Sequence, residues 1–338
     1  MLAYQQFSEL FDDFRRLKVL IVGDVMLDAY VWGSVHRISP EAPVPVVNVK
    51  KRETRLGGAA NVALNIQSLG AEPLLCAVVG EDTYGDVFCQ LLEQHQITTQ
   101  GIVRSPSRPT TVKERIIGGS QQMLRIDAEH SQVLDAEEQA CLEETMQPLI
   151  AQADVIIFQD YDKGVLSETL IRWVQQEAQR QHIPTAVDPK RRNFLYYREA
   201  TLFKPNLKEL REGLQQEAIA LHQEAYELEP TIREASERLR QLLHHQITLI
   251  TLSEKGVFVD DSHKSTFIPA HVRQISDVSG AGDTVISIAA LCLALHLPCP
   301  LMAALANLGG GIVCEYTGVV PIDASRLLKE ATQYIALR

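Results

Sequence analysis

The heptapeptide Asp277-Val278-Ser279-Gly280-Ala281-Gly282-Asp283, followed by an apolar run from Thr284 to Leu297, holds residue types that can do chemistry on an anion. Gly280 and Gly282 open backbone angles closed to other residues, so several N–H groups can turn towards one point. That point would lie at a helix N-terminus, where unpaired N–H groups and the helix dipole favour negative charge. Asp283 sets a carboxylate beside it. Such a pairing makes sense where the carboxylate takes a proton from a hydroxyl that attacks a phosphoryl group. The same residues also read as a helix cap, with Ser279 or Asp283 capping and the glycines turning the chain. Seven residues alone leave both readings open.

Other chemistry-bearing residues fall where strands are expected to end, and in open α/β sheets ligands lie outside the carboxyl ends of the strands. They are Asp24 and Asp28, Asp160 to Lys163, Asp188-Pro189-Lys190, Asn206 and Glu209, and Ser253-Glu254. Gly57-Gly58-Ala59-Ala60-Asn61 opens a second helix, where the glycines would let a ligand approach the backbone and Asn61 offers a bidentate amide. Asn206 and Glu209, three apart, can share a helix face and reach a hydrated Mg²⁺. They equally fit an Asn cap with a capping-box Glu. Lys113, Arg115, Arg125, Arg37, Lys163 and Lys190 could bind a substrate phosphate, the Arg fork suiting phosphate oxygens best. Alternating basic residues on a hairpin are also commonly solvated. The histidines show no ligand spacing, so no metal-binding histidine is expected.

These residues need a scaffold, and the hydrophobic pattern supplies one. Phe7, Leu10, Phe11, Phe14 and Leu17 recur at helical spacing, and Lys18 to Val22 reads as a buried strand. From Tyr30 to Leu56, Pro40, Pro43 and Pro45 interrupt alternating valines, which places these strands at edges or in a separate small sheet. Ala59 to Leu69 reads as a helix, Leu74 to Val79 as a strand, and Asp86 to His95 as a helix. Thr110 to Ile117 and Gln122 to Asp127 alternate around Gly118-Gly119 as a hairpin that could join the same small sheet. Strand and helix then alternate: Asp154 to Phe158, a helix after Ser167, Thr185 to Asp188, and Thr201 to Lys204. A charged helical tract from Leu207 to His245 precedes Ile247 to Leu252 and a Val257–Asp260 hairpin arm. The expected fold is α/β, a mostly parallel sheet with helices on both faces. It would be a single domain over 1–338, with a small β lid from about 30–56 and 109–127.

Composition narrows the function classes. The 338 residues are 46% hydrophobic and 22% charged, ordinary for a globular protein able to bury a full core. A formal net charge of −11 argues against nucleic acid or an anionic membrane as the main partner. The six cysteines are scattered without a C-x-x-C pair, so buried free thiols are expected. No signal pattern opens the chain, and no apolar run is long enough to span a bilayer. A cytoplasmic protein is expected.

Together, Gly57 to Asn61 and Asp277 to Asp283 resemble the two signatures of the ribokinase-like (PfkB) carbohydrate kinases, in the right order and over nearly the whole chain. Gly23 to Asp28, Arg37 to Val46, Gly57 to Leu69, Asp188-Pro189-Lys190 and Gly280 to Val285 are similar to the kinase half of the bacterial ADP-heptose synthesis enzymes. That resemblance implies ATP-dependent phosphorylation of the anomeric hydroxyl of D-glycero-D-manno-heptose 7-phosphate, for lipopolysaccharide core. Asp283 would be the general base, with Gly280, Ala281 and Gly282 as anion hole. Asp28 and Asn61 would hold sugar hydroxyls and Gly57-Gly58 would admit the sugar, with Arg115, Lys163 and Lys190 the chosen candidates for the substrate side. Asn206 and Glu209 would organise Mg²⁺ through water, and Ser253, Glu254, Gly256, Asn307 and Gly311 would form the ATP side. A monovalent cation is a further candidate cofactor, and the lid a candidate homodimer contact.

Three positions depart from that pattern. Arg191 stands where Gly is usual, Lys204 where Thr is usual, and Asp162 where a small residue is usual. They bear on the acceptor more than on the reaction. Alternatives within the fold are another sugar, sugar phosphate or nucleoside as acceptor, or a non-catalytic sensor. A nicotinamide-dependent oxidoreductase would need G-x-G-x-x-G after the first strand, where Gly23-Asp24-Val25-Met26-Leu27-Asp28 stands instead. The nucleotidyltransferase module that accompanies some of these kinases is not expected, since the sequence ends at Arg338 after the kinase motifs.

Overall fold

The computed structural model describes residues 6–119, 121–215 and 228–335. Helix α1 (Phe7–Phe14) buries Phe7, Leu10, Phe11 and Phe14, the stripe its spacing indicates. Strand β1 (Lys18–Gly23) runs into two long strands, β2 (Val25–Ile38) and β3 (Pro45–Gly58), and then helix α2 (Ala59–Ser68). Pro40 and Pro43 sit in the β2–β3 turn and Pro45 is the first residue of β3, so the prolines bound the strands instead of breaking them.

β4 (Glu72–Gly80), α3 (Thr83–Gln94), β5 (Ile102–Ser105), β6 (Val112–Gly118), β7 (Gln121–Ala128) and α4 (Ala136–Ile150) follow. α3 begins ahead of the expected Asp86 because the Asp82 carboxylate caps it, accepting from Gly85 N–H at 2.7 Å. After β8 (Val155–Gln159), α5 (Glu168–Arg180), β9 (Thr185–Asp188) and β10 (Leu202–Phe203), the charged tract is divided. Its described parts are α6 (Leu207–Gln215) and α7 (Leu228–Leu243), and residues 216–227 of the expected helix lie outside the described residues. β11 (Ile247–Thr251), β12 (Val257–Asp260), β13 (Ser265–Ile268), α8 (Ala281–Ala294), α9 (Cys299–Val313) and α10 (Ala324–Tyr334) complete the order.

Nine strands form one sheet in the order β13-β12-β11-β10-β9-β8-β1-β4-β5, parallel from β11 to β5 with β12 and β13 antiparallel. Side chains of β1 alternate between its faces. Val19 and Ile21 join the layer of α1, α2, α8, α9 and α10, while Leu20 and Val22 join that of α4 to α7. From β1 the order runs to β4 and β5 on one side and to β8, β9, β10 and β11 on the other. The winding therefore reverses between β1 and β8, which opens a crevice at their carboxyl ends, at Gly23 and Gln159.

The second sheet has the order β3-β2-β6-β7, so the two expected hairpins do share one small sheet. β2 leaves from the end of β1 and β3 returns into α2, which places this lid at the crevice. Its register sets Arg55, Asp28, Lys113 and Asp127 in one row, and Glu53, Tyr30, Arg115 and Arg125 in the next row on the same face. The opposite face carries Leu27, Val31, Leu56 and Val112, buried near the body, and further out the exposed Val49, Leu124 and Ile126. Cys76, Cys292 and Cys314 are buried as expected, but Cys141 on α4 is exposed; all six thiols are free. No helix among the described residues is long and apolar enough to cross a membrane.

Candidate active site

Two helices begin side by side at the crevice. α8 starts at Gly280 with φ +80°, and α2 at Gly58 with φ +63°, where a Cβ would also strike the Asp24 carbonyl oxygen. Buried polar bonds fix their relative position. Asn65 Oδ1 accepts from the Thr284 hydroxyl and from Ile322 N–H, each at 3.0 Å. One turn earlier on α2, Asn61 Nδ2 donates to Asp283 Oδ2 at 2.6 Å. The two signatures thus meet through Asn61 and Asp283.

The Asp283 carboxylate is buried and accepts three hydrogen bonds. Besides Asn61, the Tyr161 hydroxyl donates to Oδ1 at 2.7 Å and Gln159 Nε2 to the same oxygen at 3.1 Å. Burial disfavours the charged form and raises its pKa to about 6, with the bonds from Asn61 and Tyr161 pulling the other way. A carboxyl poised there is ionised at neutral pH yet basic enough to accept a proton. Gln159 Nε2 also reaches Asp188 Oδ2 at 3.3 Å, and Lys204 Nζ pairs with that oxygen at 3.0 Å. Lys204 and Asp188 are both buried, so each charge depends on the other. A Cβ on Gly282 would stand 3.8 Å from both partners, so the glycine turn faces this ion pair. The departure at Lys204 therefore has a structural reason.

Asp24 serves the site indirectly. Its carboxylate accepts from the N–H groups of Tyr161, Lys163 and Val165 at 2.8, 3.0 and 3.0 Å, pinning the loop after β8. Burial, reinforced by Asp160, raises Asp24 to about 6. Asp160 holds the other side of that loop, accepting from Asp162 N–H, Asn193 Nδ2 and the Tyr197 hydroxyl. Asp162, the departure beside it, takes φ +56°, a left-handed angle that Asp tolerates better than most residues.

On the lid, Asp28 is buried and accepts from Arg115, and Gly57 lies so close that a Cβ would collide with Asp28 Oδ2. Arg55 and Arg115 flank the Tyr30 ring at 5.1 and 5.4 Å from its centroid. Of the three basic residues singled out for the substrate side, each has a carboxylate partner: Arg115 pairs with Asp28, Lys163 with Glu129 at 2.8 Å, and Lys190 with Glu209.

Asn206 and Glu209 realise the capping-box alternative. Asn206 N–H donates to Glu209 Oε2 and Glu209 N–H to Asn206 Oδ1, both at 2.8 Å, while Lys190 binds Glu209 Oε1. Ser253, Glu254 and Gly256 form the turn between β11 and β12, with φ +54° at Ser253 and +94° at Gly256. Asn307 and Gly311 lie on α9 beside β12 and β13. There Asn307 Nδ2 donates to the Pro269 carbonyl at 2.9 Å, and Gly311 makes room for Arg273, which pairs with Glu315 and Glu330. Tyr161, Gln159, Asp188 and Lys204 complete the surroundings of Asp283, although sequence reasoning gave none of them a role there. For Gln159 and Tyr161 the available signal was position, at or just past the end of β8, while Asp188 lay in a stretch that carries the resemblance and Lys204 departed from its pattern.

Residues 16–324 match the model of the pfkB family carbohydrate kinases. The chain belongs to that family. It is 42% identical over 313 residues to the bifunctional protein HldE of Methylobacillus flagellatus, covering 92% of this chain and 62% of the relative. A second HldE, from Magnetococcus marinus, is also 42% identical over 318 residues, covering 93% of this chain and 64% of the relative. The chain thus spans less than two thirds of the length of these relatives. Among solved structures, phosphofructokinase-2 from Escherichia coli in complex with potassium superposes with a TM-score of 0.76 at 18% identity, covering 94% of this chain and 99% of that one. At that identity the likeness speaks for the fold alone, a ribokinase-like α/β sheet with a separate smaller sheet.

Proposed function

We propose that the chain transfers the γ-phosphoryl group of ATP to the anomeric hydroxyl of D-glycero-D-manno-heptose 7-phosphate, giving the 1,7-bisphosphate for ADP-heptose synthesis in the cytoplasm. The observation that carries this reading is the buried Asp283 carboxylate at the N-terminus of α8, next to the Gly280-Ala281-Gly282 turn. Asp283 takes the proton of the attacking hydroxyl, and the N–H groups of Gly280 and Gly282 stabilise the charge on the transferring group, whereas the Ala281 N–H expected to join them is turned to the Val278 carbonyl at 3.3 Å. A loose transition state asks mainly for positioning, which Asn61, Tyr161 and Gln159 supply by fixing the carboxylate. Asp28, Gly57, Gly58 and Asn61 receive the sugar. Ser253, Glu254, Gly256, Asn307 and Gly311 lie along the nucleotide side. The lid keeps water from the phosphoryl group.

Magnesium fits this donor set in one way. Both oxygens of Glu209 already accept bonds within the protein, so Glu209 and Asn206 suit an ion held through its own waters and the nucleotide phosphates. Glu209 and Asn206 would hold the waters of a bound Mg²⁺, which would supply positive charge to offset that of the nucleotide phosphates. A monovalent cation is a further cofactor of this reading, since phosphofructokinase-2 was solved with potassium. The exposed Val49, Leu124 and Ile126 on the outer lid face favour a homodimer through a second copy of that face.

The test is ADP release with Mg·ATP across heptose 7-phosphate, fructose 6-phosphate, ribose, fructose and adenosine. Selective turnover of heptose 7-phosphate is expected. Preference for another acceptor would move the substrate and keep the phosphoryl transfer.

A further inference from the structure

The carboxyl ends of β9 and β10 carry two crossed ion pairs. Asp188, the last residue of β9, pairs with Lys204 just past β10, while Lys190, two residues past β9, pairs with Glu209 on α6. The pairs differ in access. The side chains of Lys204 and Asp188 are 2% and 6% exposed, and Glu209 is nearly as closed at 7%, but Lys190 is 30% exposed. Glu209 keeps its place without Lys190, because its reciprocal bonds with Asn206 fix it. The Lys190 ammonium also stands over the Tyr161 ring, 5.6 Å from its centroid, and the Tyr161 hydroxyl is bonded to Asp283. Lys190 therefore lies between Glu209 and the base, one aromatic ring away from Asp283. Burial by itself would lower its pKa, but Asp188, Glu209 and Asp283 outweigh burial and hold the ammonium above the usual lysine range, so its charge persists.

We propose that Lys190 is a catalytic residue, passing from Glu209 to the transferring phosphoryl group when the nucleotide enters. This rests on the phosphoryl-transfer reading above and adds a side-chain cation to it. A phosphoryl group handed to a hydroxyl beside Asp283 enters a place that also holds the carboxylates of Asp188 and Glu209, and the Lys204 ammonium is closed in against Asp188. Lys190 is placed to offset the incoming charge, since it has a flexible stem, three donors and a partner it can exchange. Burial and Asp188 disfavour the Glu209 charge, so that carboxylate needs a cation facing it. Lys190 can leave it once the Mg²⁺ waters of the reading above stand there. The N–H groups of Gly280 and Gly282 then meet the phosphoryl group from α8, and Lys190 meets it from the end of β9. A loose transition state, with charge spread over the equatorial oxygens, is stabilised from both sides.

The experiment pairs steady-state kinetics with calorimetric binding of Mg·ADP, alone and with aluminium fluoride standing in for the transferring phosphoryl group. The proteins are the wild type, Lys190→Met, Lys190→Gln, Lys190→Arg and Lys208→Met. Lys190→Met should lower kcat about 10²–10³-fold, with KM for ATP and for heptose 7-phosphate shifted less than about threefold. The fluoride complex should bind more weakly by a similar factor, while Mg·ADP alone changes less than about threefold. Lys190→Gln can still donate to Glu209, so it should fold as the wild type does and yet lose kcat as Lys190→Met does. Lys190→Arg should recover part of the loss. Lys208→Met removes an equal charge next to Glu209 from an exposed position and should shift kcat and binding less than about threefold. Recovery of kcat in Lys190→Gln would overturn the proposal, as would equal weakening of Mg·ADP and of the fluoride complex. A raised KM for heptose 7-phosphate with kcat kept would also overturn it. A wild type that leaves heptose 7-phosphate unphosphorylated, with Lys190-dependent binding of the fluoride complex intact, would sink the heptose reading and leave Lys190 standing. A wild type that binds the fluoride complex no more tightly than Mg·ADP would overturn the role of Lys190 itself.

Discussion

Replacing Tyr161 by Phe removes one of three donors to Asp283 and leaves the ring in place. Its hydroxyl lies 2.7 Å from Oδ1, in a site where burial already lifts the carboxyl to about 6. A hydrogen bond to a charged group contributes about 1.5–3 kcal/mol, and one pKa unit is about 1.4 kcal/mol. Donors favour the carboxylate, so losing this one raises the Asp283 pKa by roughly 1–2 units. The acid limb of kcat/KM reports the free enzyme and should therefore move from near pH 6 to about pH 7–8. At pH 7 the ionised fraction would fall from about nine tenths to between about one half and one tenth, while rates converge above about pH 9. The assay is kcat/KM from pH 5 to 9.5 with a coupled ADP readout, checked against a pH-insensitive coupling system. An acid limb that stays near pH 6, or an equal loss at every pH, would refute the assignment of Asp283 as the titrating base.

Asp283→Asn should cut turnover about 10²–10⁴-fold with little change in ATP affinity, measured by ADP release and nucleotide titration. The same variant should be more stable than the wild type by up to about 3 kcal/mol at pH 8. The folded-state value near 6 lies above the ordinary 3.8, so the ionised carboxylate costs stability fully above about pH 6 and not below about pH 4; denaturant melts at pH 4 and 8 check this. Lys204→Met leaves Asp188 buried without its partner and should lower stability by about 3–5 kcal/mol in urea melts, with Asp188→Asn added in the same chain restoring part of it. Leu124→Glu with Ile126→Lys on the outer lid face should convert a dimer to monomer in light scattering while the melting temperature shifts little.

The architecture was largely legible because its punctuation is strong. Glycines open α2 and α8, and prolines bound the lid strands. The apolar runs of β1, β8 and β9 are short, as buried parallel strands are. What escaped were elements with weak stripes and partners distant in the chain. α4 buries only Leu142, Met146, Leu149 and Ile150 within an acidic helix, so its period is faint. Asn206 and Glu209 read equally well as metal organiser and cap, and only the two reciprocal bonds at 2.8 Å separated those roles. Asn61 and Asp283 were each visible as helix-start residues, but their contact spans 222 positions and needs the packing of α2 on α8. Tyr161 reaches Asp283 from the loop that Asp24 pins and Gln159 from the end of β8, a backbone arrangement that no side-chain pattern announces. Lys204 stood out as a departure, and its meaning came from Asp188 at the end of the neighbouring strand.

The most direct test of the central claim is a ³¹P NMR time course of the wild-type chain with Mg·ATP and heptose 7-phosphate, alongside Asp283→Asn. The account predicts a new anomeric phosphate resonance growing as the γ-phosphate of ATP declines, the 7-phosphate retained, and no growth in the variant on the same timescale. ADP and inorganic phosphate as the only new species, or equal product from Asp283→Asn, would contradict it.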